Sequence, residues 1–184
     1  RWGAQYNCDA TAAVAAAAPL DVRTEPTRGA KTAAPSSAES LKVRRQGAVA
    51  YVGCDDGRLR AFALATGQEL WSVRTRRRVE SAAAIGPRGR IYFGSGDGRL
   101  RVVSPEGRLL WSYKTKGAIR AAPVVDGSGA VVVGSRDDRL YALDNRGRLL
   151  WSKRLGGDID APVSLTKDGT LLVGCDDGGV YALR

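Results

Sequence analysis

The sequence predicts an all-β propeller built from four-stranded antiparallel blades. Three observations carry the prediction. Trp71, Trp111 and Trp151 stand 40 residues apart. Gly53, Gly94, Gly134 and Gly174 keep the same step to within one residue. Between them, short Val/Ile/Leu/Tyr runs are cut by Asp-Gly and other glycine-containing turns, the pattern of hairpins rather than helices. A fixed period of about 40 residues marks a repeat architecture, and four strands in that span make one blade.

The stretch from Arg108 to Trp151 shows one period whole, from one Arg-Leu-Leu-Trp to the next. An apolar run ends in Asp126-Gly127-Ser128-Gly129. A second ends at Gly134 and Asp137-Asp138, a third at Asn145-Arg146-Gly147, and the last carries the tryptophan. Extended along the chain, this places blades at about 39–75, 78–115, 118–155 and 158–184. The expected inner strands are 40–45, 79–85, 118–125 and 159–165. Their small residues, such as Ala82-Ala83-Ala84 and Ala121-Ala122-Pro123, suit a crowded hub, and proline is tolerated at an edge that donates no hydrogen bond. The expected second and third strands are 48–53 and 58–64, 90–94 and 99–103, 130–134 and 139–143, and 170–174 and 179–183. The outer strands are 68–74, 108–114 and 148–154; the fourth blade shows three strands.

Residues 8–38 are rich in Ala, Pro, Thr and Ser and read as a linker or surface insertion. Residues 1–7 contain Trp2 in a setting like the repeat tryptophans, which makes them a candidate outermost strand of a blade. Two closures follow: a four-bladed ring, or half of a seven- or eight-bladed ring that self-associates.

These residues resemble a PQQ-like (quinoprotein-type) β-propeller, and the stretch from about Ser40 onward is similar to the propellers of outer-membrane barrel-assembly lipoproteins. That family carries a tryptophan-docking motif, roughly Ala-x-Asp-x-x-Thr-Gly-x-x-x-Trp. Ala61 to Trp71 matches it with Ala63 in place of the aspartate. Ala142 to Trp151 matches it one residue shorter, and the second repeat has Val102 and Ser104 at the Ala and Asp positions. The resemblance implies that Trp2, Trp71, Trp111 and Trp151, with Gly67, Gly107 and Gly147, lock neighbouring blades together. One scaffold of this kind serves many activities.

The net charge is +10 and is uneven. Residues 71–120 hold 12 Lys/Arg against 3 Asp/Glu, while residues 121–184 hold 8 against 9. Arg76, Arg77 and Arg78 depart most from their repeat counterparts; with Lys116 and Arg120 they form the candidate partner-binding patch, facing an acidic protein. The alternative is that the arginines are solvated loop. No aromatic interleaves with this patch, which argues against nucleic acid. No apolar run approaches the length of a membrane span.

Cys54 and Cys175 occupy one repeat position in different blades, too far apart to bond each other, and read as small half-buried side chains. Cys8 could pair only if the N-terminal arm folds back. The lack of histidine and of any Cys-x-x-Cys argues against a zinc site. No nucleophile, general base or phosphate loop stands out. The reading is therefore a non-catalytic scaffold for protein–protein contact, with no cofactor; the resemblance implies an assembly factor or sensor domain of the bacterial cell envelope, periplasmic or secreted. The alternative is a divergent or truncated quinoprotein dehydrogenase using PQQ with calcium.

Overall fold

The computed structural model describes residues 47–184. The candidate outermost strand with Trp2, the linker at 8–38, Cys8 and the first expected inner strand lie outside the described residues. Four antiparallel sheets follow in chain order. The first is β1 (Val49–Cys54), β2 (Arg58–Ala63) and β3 (Glu69–Arg74). The second is β4 (Ala84–Ile85), β5 (Ile91–Phe93), β6 (Arg99–Val103) and β7 (Leu109–Lys114). The third is β8 (Val124–Val125), β9 (Val131–Ser135), β10 (Arg139–Leu143) and β11 (Leu149–Arg154). The fourth is β12 (Ser164–Leu165), β13 (Leu171–Gly174) and β14 (Val180–Leu183). Strands pair strictly with their sequence neighbours, so each sheet is a meander. These are propeller blades.

Register repeats with the sequence. Trp71 pairs with Ala61, Trp111 with Val102 and Trp151 with Ala142, and each pair is followed by a register shift at the next residue. The bulge accommodates the positive-φ glycine turn that precedes each outer strand.

The inner strands are shorter than the sequence indicates. The expected 79–85, 118–125 and 159–165 contract to Ala84–Ile85, Val124–Val125 and Ser164–Leu165. The backbone ahead of each pairs elsewhere. Val79 N–H donates to the Cys54 carbonyl, Ile119 to Ser95 and Ile159 to Ser135, so each blade's entry segment bonds to the blade before it. Ser81 also donates its hydroxyl to the Ala121 carbonyl at 3.0 Å, one blade onward. A buried backbone group needs a partner, and at the hub the neighbouring blade supplies it.

The core is a series of blade-to-blade layers. Tyr51, Leu59 and Ala61 pack against Val79, Ile91, Phe93 and Val103. Tyr92, Leu100 and Val102 pack against Ile119, Val131, Val133 and Leu143. Leu140 packs with Ile159, Val163 and Val173. The strand-ending glycines make these layers possible. A Cβ on Gly53 would lie 2.8 Å from a Val79 methyl, one on Gly94 2.8 Å from Ile119 Cβ, and one on Gly134 2.9 Å from Ile159 Cβ. Each glycine is a seat for a β-branched side chain of the next blade.

Candidate functional site

The turns between second and third strands and the loops between blades meet at one end of the blades. The Asp-Gly turns at Asp56 and Asp97 do more than the hairpin requires. Asp56 accepts from the N–H of Arg58 at 3.1 Å and from the Arg60 guanidinium at 3.0 Å. Asp97 accepts from the N–H of Arg99 at 3.1 Å and from Arg101 at 3.0 Å. Tyrosine replaces the arginine in the later blades: Tyr141 donates to Asp137 at 2.7 Å, and Tyr181 to Asp177. The signal was in the sequence, an aspartate followed four residues on by Arg, Arg, Tyr and Tyr, but hairpin chemistry alone explains the aspartate and hides its partner.

These aspartates also hold the interblade loops. The Arg76 N–H donates to Asp97 at 3.1 Å, and the Lys116 N–H to Asp137 at 2.8 Å. The loop out of one blade is thus clasped by the next blade's turn, and the side chains of Arg76 and Lys116 are directed outward. Burial pushes the Asp97 carboxyl up, but Arg101 and the N–H groups of Arg76 and Arg99 outweigh it and hold it below the usual carboxylate range. Arg60 does the same for Asp56.

The five candidate partner-binding residues lie at this end, in two different situations. Arg76, Arg77 and Lys116 are exposed and form no ion pair among the described residues. Arg78 is exposed, 3.9 Å from Asp55. Arg120 is engaged: it meets Glu80 at 3.0 Å and Asp160 at 3.9 Å. Arg136 meets Asp158 at 2.8 Å and Asp160 at 3.2 Å. Glu80, Arg120 and Asp160 stand at one repeat position, so the blades are joined near the hub by a ladder of alternating charge. Burial raises the Asp160 pKa against the pull of Arg136 and Arg120. The face is therefore cationic at the first two blades and charge-compensated toward the fourth.

The residues singled out for blade locking sit at the rim. The Trp71 indole N–H donates to the Pro105 carbonyl at 2.8 Å, and that of Trp111 to Asn145 at 3.2 Å, in each case the turn of the next blade. Gly107 and Gly147, both at φ 82°, lie under those indoles. Gly67 also has positive φ, at 70°. Trp151 is 39% exposed and has no such turn over it among the described residues.

Cys54 is disulfide-bonded, which corrects its reading as a simple half-buried side chain. Sequence spacing excluded a bond to Cys175, and Cys175 is indeed free and buried; the partner of Cys54 lies outside the described residues. Among the described residues, no three His, Cys, Asp or Glu side chains are grouped so as to hold a metal ion. No helix among them is long and apolar enough to cross a membrane.

Residues 55–184, more than two thirds of the chain, match the family described as outer membrane protein assembly factor BamB. The chain belongs to that family. Its blades superpose on BamB from Moraxella catarrhalis with a TM-score of 0.65 and 24% identity, covering 76% of this chain and 47% of that one. They superpose on the computationally designed Ika4 protein with a TM-score of 0.66 and 22% identity, covering 74% and 84%. For the designed Ika8 protein the values are 0.65, 21%, 76% and 46%. The chain thus spans about half the length of the BamB structure. No curated protein matches it in sequence. At these identities the structural likeness bears on the fold, and the fold is a BamB-type propeller assembled from PQQ-like repeats.

Proposed function

We propose that this BamB-family chain is a non-catalytic propeller scaffold of the bacterial cell envelope that holds an acidic protein partner on its cationic face. The observation that carries the reading is that Arg76, Arg77 and Lys116 are exposed and unpaired among the described residues, while the blade-joining cations Arg120 and Arg136 are consumed by carboxylates. Backbone clasps to Asp97 and Asp137 fix the loops that carry them. A rigid loop loses less entropy on binding than a mobile one, and unpaired cations steer an acidic surface into contact. The Cys54 disulfide supports an oxidising compartment, such as the periplasm or the extracellular side.

The test compares the parent with the triple substitution Arg76→Ser, Arg77→Ser, Arg78→Ser, each immobilised and exposed to envelope extract across a range of salt. The parent should retain a partner whose binding weakens with salt, and the variant should lose that component. The melting temperature should stay nearly unchanged, because these side chains are exposed. Equal retention with an equal salt response would reduce the patch to solvated surface.

A further inference from the structure

The outer strands of the second and third blades each begin with a bare leucine pair. Leu109 and Leu110 are 57% and 45% exposed; Leu149 and Leu150, one period on, are 46% and 59% exposed. β7 belongs to a blade with another sheet before and after it, so this exposure is a property of the rim itself. Cations flank both pairs, and no carboxylate stands among them: residues 107–114 hold Arg108 and Lys114, and residues 145–153 hold Arg146, Arg148 and Lys153. Arg148 is bound by Asp144, while Arg108 and Arg146 form no ion pair among the described residues. The two pairs adjoin. The Trp111 indole donates to the Asn145 carbonyl, and a Cβ on Gly147 would lie 2.7 Å from that indole, so the turn that leads into Leu149 is laid against β7. The first blade departs from the pattern. Glu69 and Leu70 hold the leucine positions there, both only partly exposed, and Glu69 meets Arg60 at 3.4 Å.

We propose that this rim rests on an anionic lipid surface, the four leucines entering the acyl boundary and Arg108 and Arg146 meeting headgroup phosphates. A contiguous exposed apolar patch marks a contact surface. Its charge names the occupant: apolar side chains interleaved with cations match a surface that is hydrocarbon beneath and phosphate above. Consecutive strand residues point to opposite faces, so each leucine pair makes a ridge that is apolar on both flanks. Fluid lipid closes on both flanks of a ridge, whereas a folded partner would need a matched groove for each. β7 and β11 are the last strands of their sheets, and their outer edges carry unpaired backbone groups. Those groups hold the strands at headgroup depth, where water and phosphate can pair them. The contact is one of lying on a bilayer, not of crossing it. The turns before β7 and β11 lie at the opposite end of the blades from the loops of Arg76 and Lys116. The rim and the cationic face share no residue, so either proposal can fail alone.

Flotation of the full chain with lipid vesicles tests this. The parent should bind vesicles of phosphatidylcholine with about a quarter phosphatidylglycerol, and bind pure phosphatidylcholine at least about tenfold more weakly. The variant Leu109→Ser, Leu110→Ser, Leu149→Ser, Leu150→Ser should lose at least about tenfold on the anionic vesicles, because its cations remain but nothing enters the acyl boundary. Arg108→Ser, Arg146→Ser should lose about tenfold or more on the anionic vesicles and little on the neutral ones. All six side chains are exposed, and near-ultraviolet circular dichroism matching the parent shows that each variant is folded. A parent that stays free of anionic vesicles overturns the proposal. So does a leucine variant that binds like the parent, which reduces the attraction to charge alone, or an arginine variant that does so. Self-association of the parent without vesicles that the leucine variant abolishes overturns it too, since a second copy would then cover the rim.

Discussion

A Cβ placed on Gly107 would lie 2.7 Å from the indole of Trp71, one blade away, and that indole donates its N–H to Pro105 at 2.8 Å. One turn therefore supplies both the floor and the polar anchor for the tryptophan. Gly107→Ala should destabilise the protein by about 2 kcal/mol or more, adding left-handed backbone strain to the lost close approach. Gly127→Ala is the comparison, since nothing lies within 4 Å of its Cβ site. Thermal melting should show a clear drop for Gly107→Ala and for Gly147→Ala, and almost none for Gly127→Ala.

The tryptophans should not be equivalent. Trp71→Ala removes a half-buried ring that packs on Gly107 and sits 5.7 Å from Tyr51, and should cost about 3 kcal/mol. Trp151 is 39% exposed and lacks a glycine floor among the described residues. Trp151→Ala should cost less than half as much in urea unfolding. Equal losses would show that docking on the next blade's turn contributes little.

The second blade offers a substitution already present in the third. Arg101 and Asp97 meet with side-chain exposures of 10% and 5%. Arg101→Ala strands the carboxylate and should cost about 3 kcal/mol. Arg101→Tyr copies the Tyr141–Asp137 bond and should recover more than half of that loss, read as the urea midpoint.

Acid should weaken the clasps in a defined window. The carboxyls of Asp56 and Asp97 are held below their ordinary values in the folded protein, and Arg148 with the turn N–H groups holds Asp144 down to about 2. A depressed folded value gives stability that is present above the unfolded pKa and lost as pH falls through the folded one. Urea midpoints should accordingly fall below about pH 4. Asp160 has the opposite sign: its raised value gives stability present below the unfolded pKa and lost as pH rises through the folded one. Asp97→Asn should lower the midpoint at neutral pH and flatten its acid limb. An unchanged acid limb would remove Asp97 from the account.

Reduction should act through Cys54 alone. Dithiothreitol should lower the melting temperature by the equivalent of about 2–4 kcal/mol, the usual range for a natural cross-link. Cys175→Ser, which installs the residue found at Ser95 and Ser135, should melt close to the parent and keep the full response to reductant.

By itself the sequence determined the propeller, because a 40-residue step in Trp and Gly, filled with short strands and Asp-Gly turns, has few other ways to bury its apolar faces. It also determined which residues recur: the glycines under the indoles and the aspartates of the turns can be picked out by period alone. What it did not contain was which blade each residue serves. The inner strands came out shorter than their apolar runs because Val79, Ile119 and Ile159 bond backward to the preceding blade. Arg120 looked like its neighbour Lys116 in the chain, yet one is bound by Glu80 and the other points free. Asp97 looked complete as a turn residue, yet it clasps Arg101 and the loop of Arg76. Period is a local property of the chain and survives in one dimension. Partnership across a hub depends on where successive blades stop rotating and touch, which only the packed tertiary structure decides.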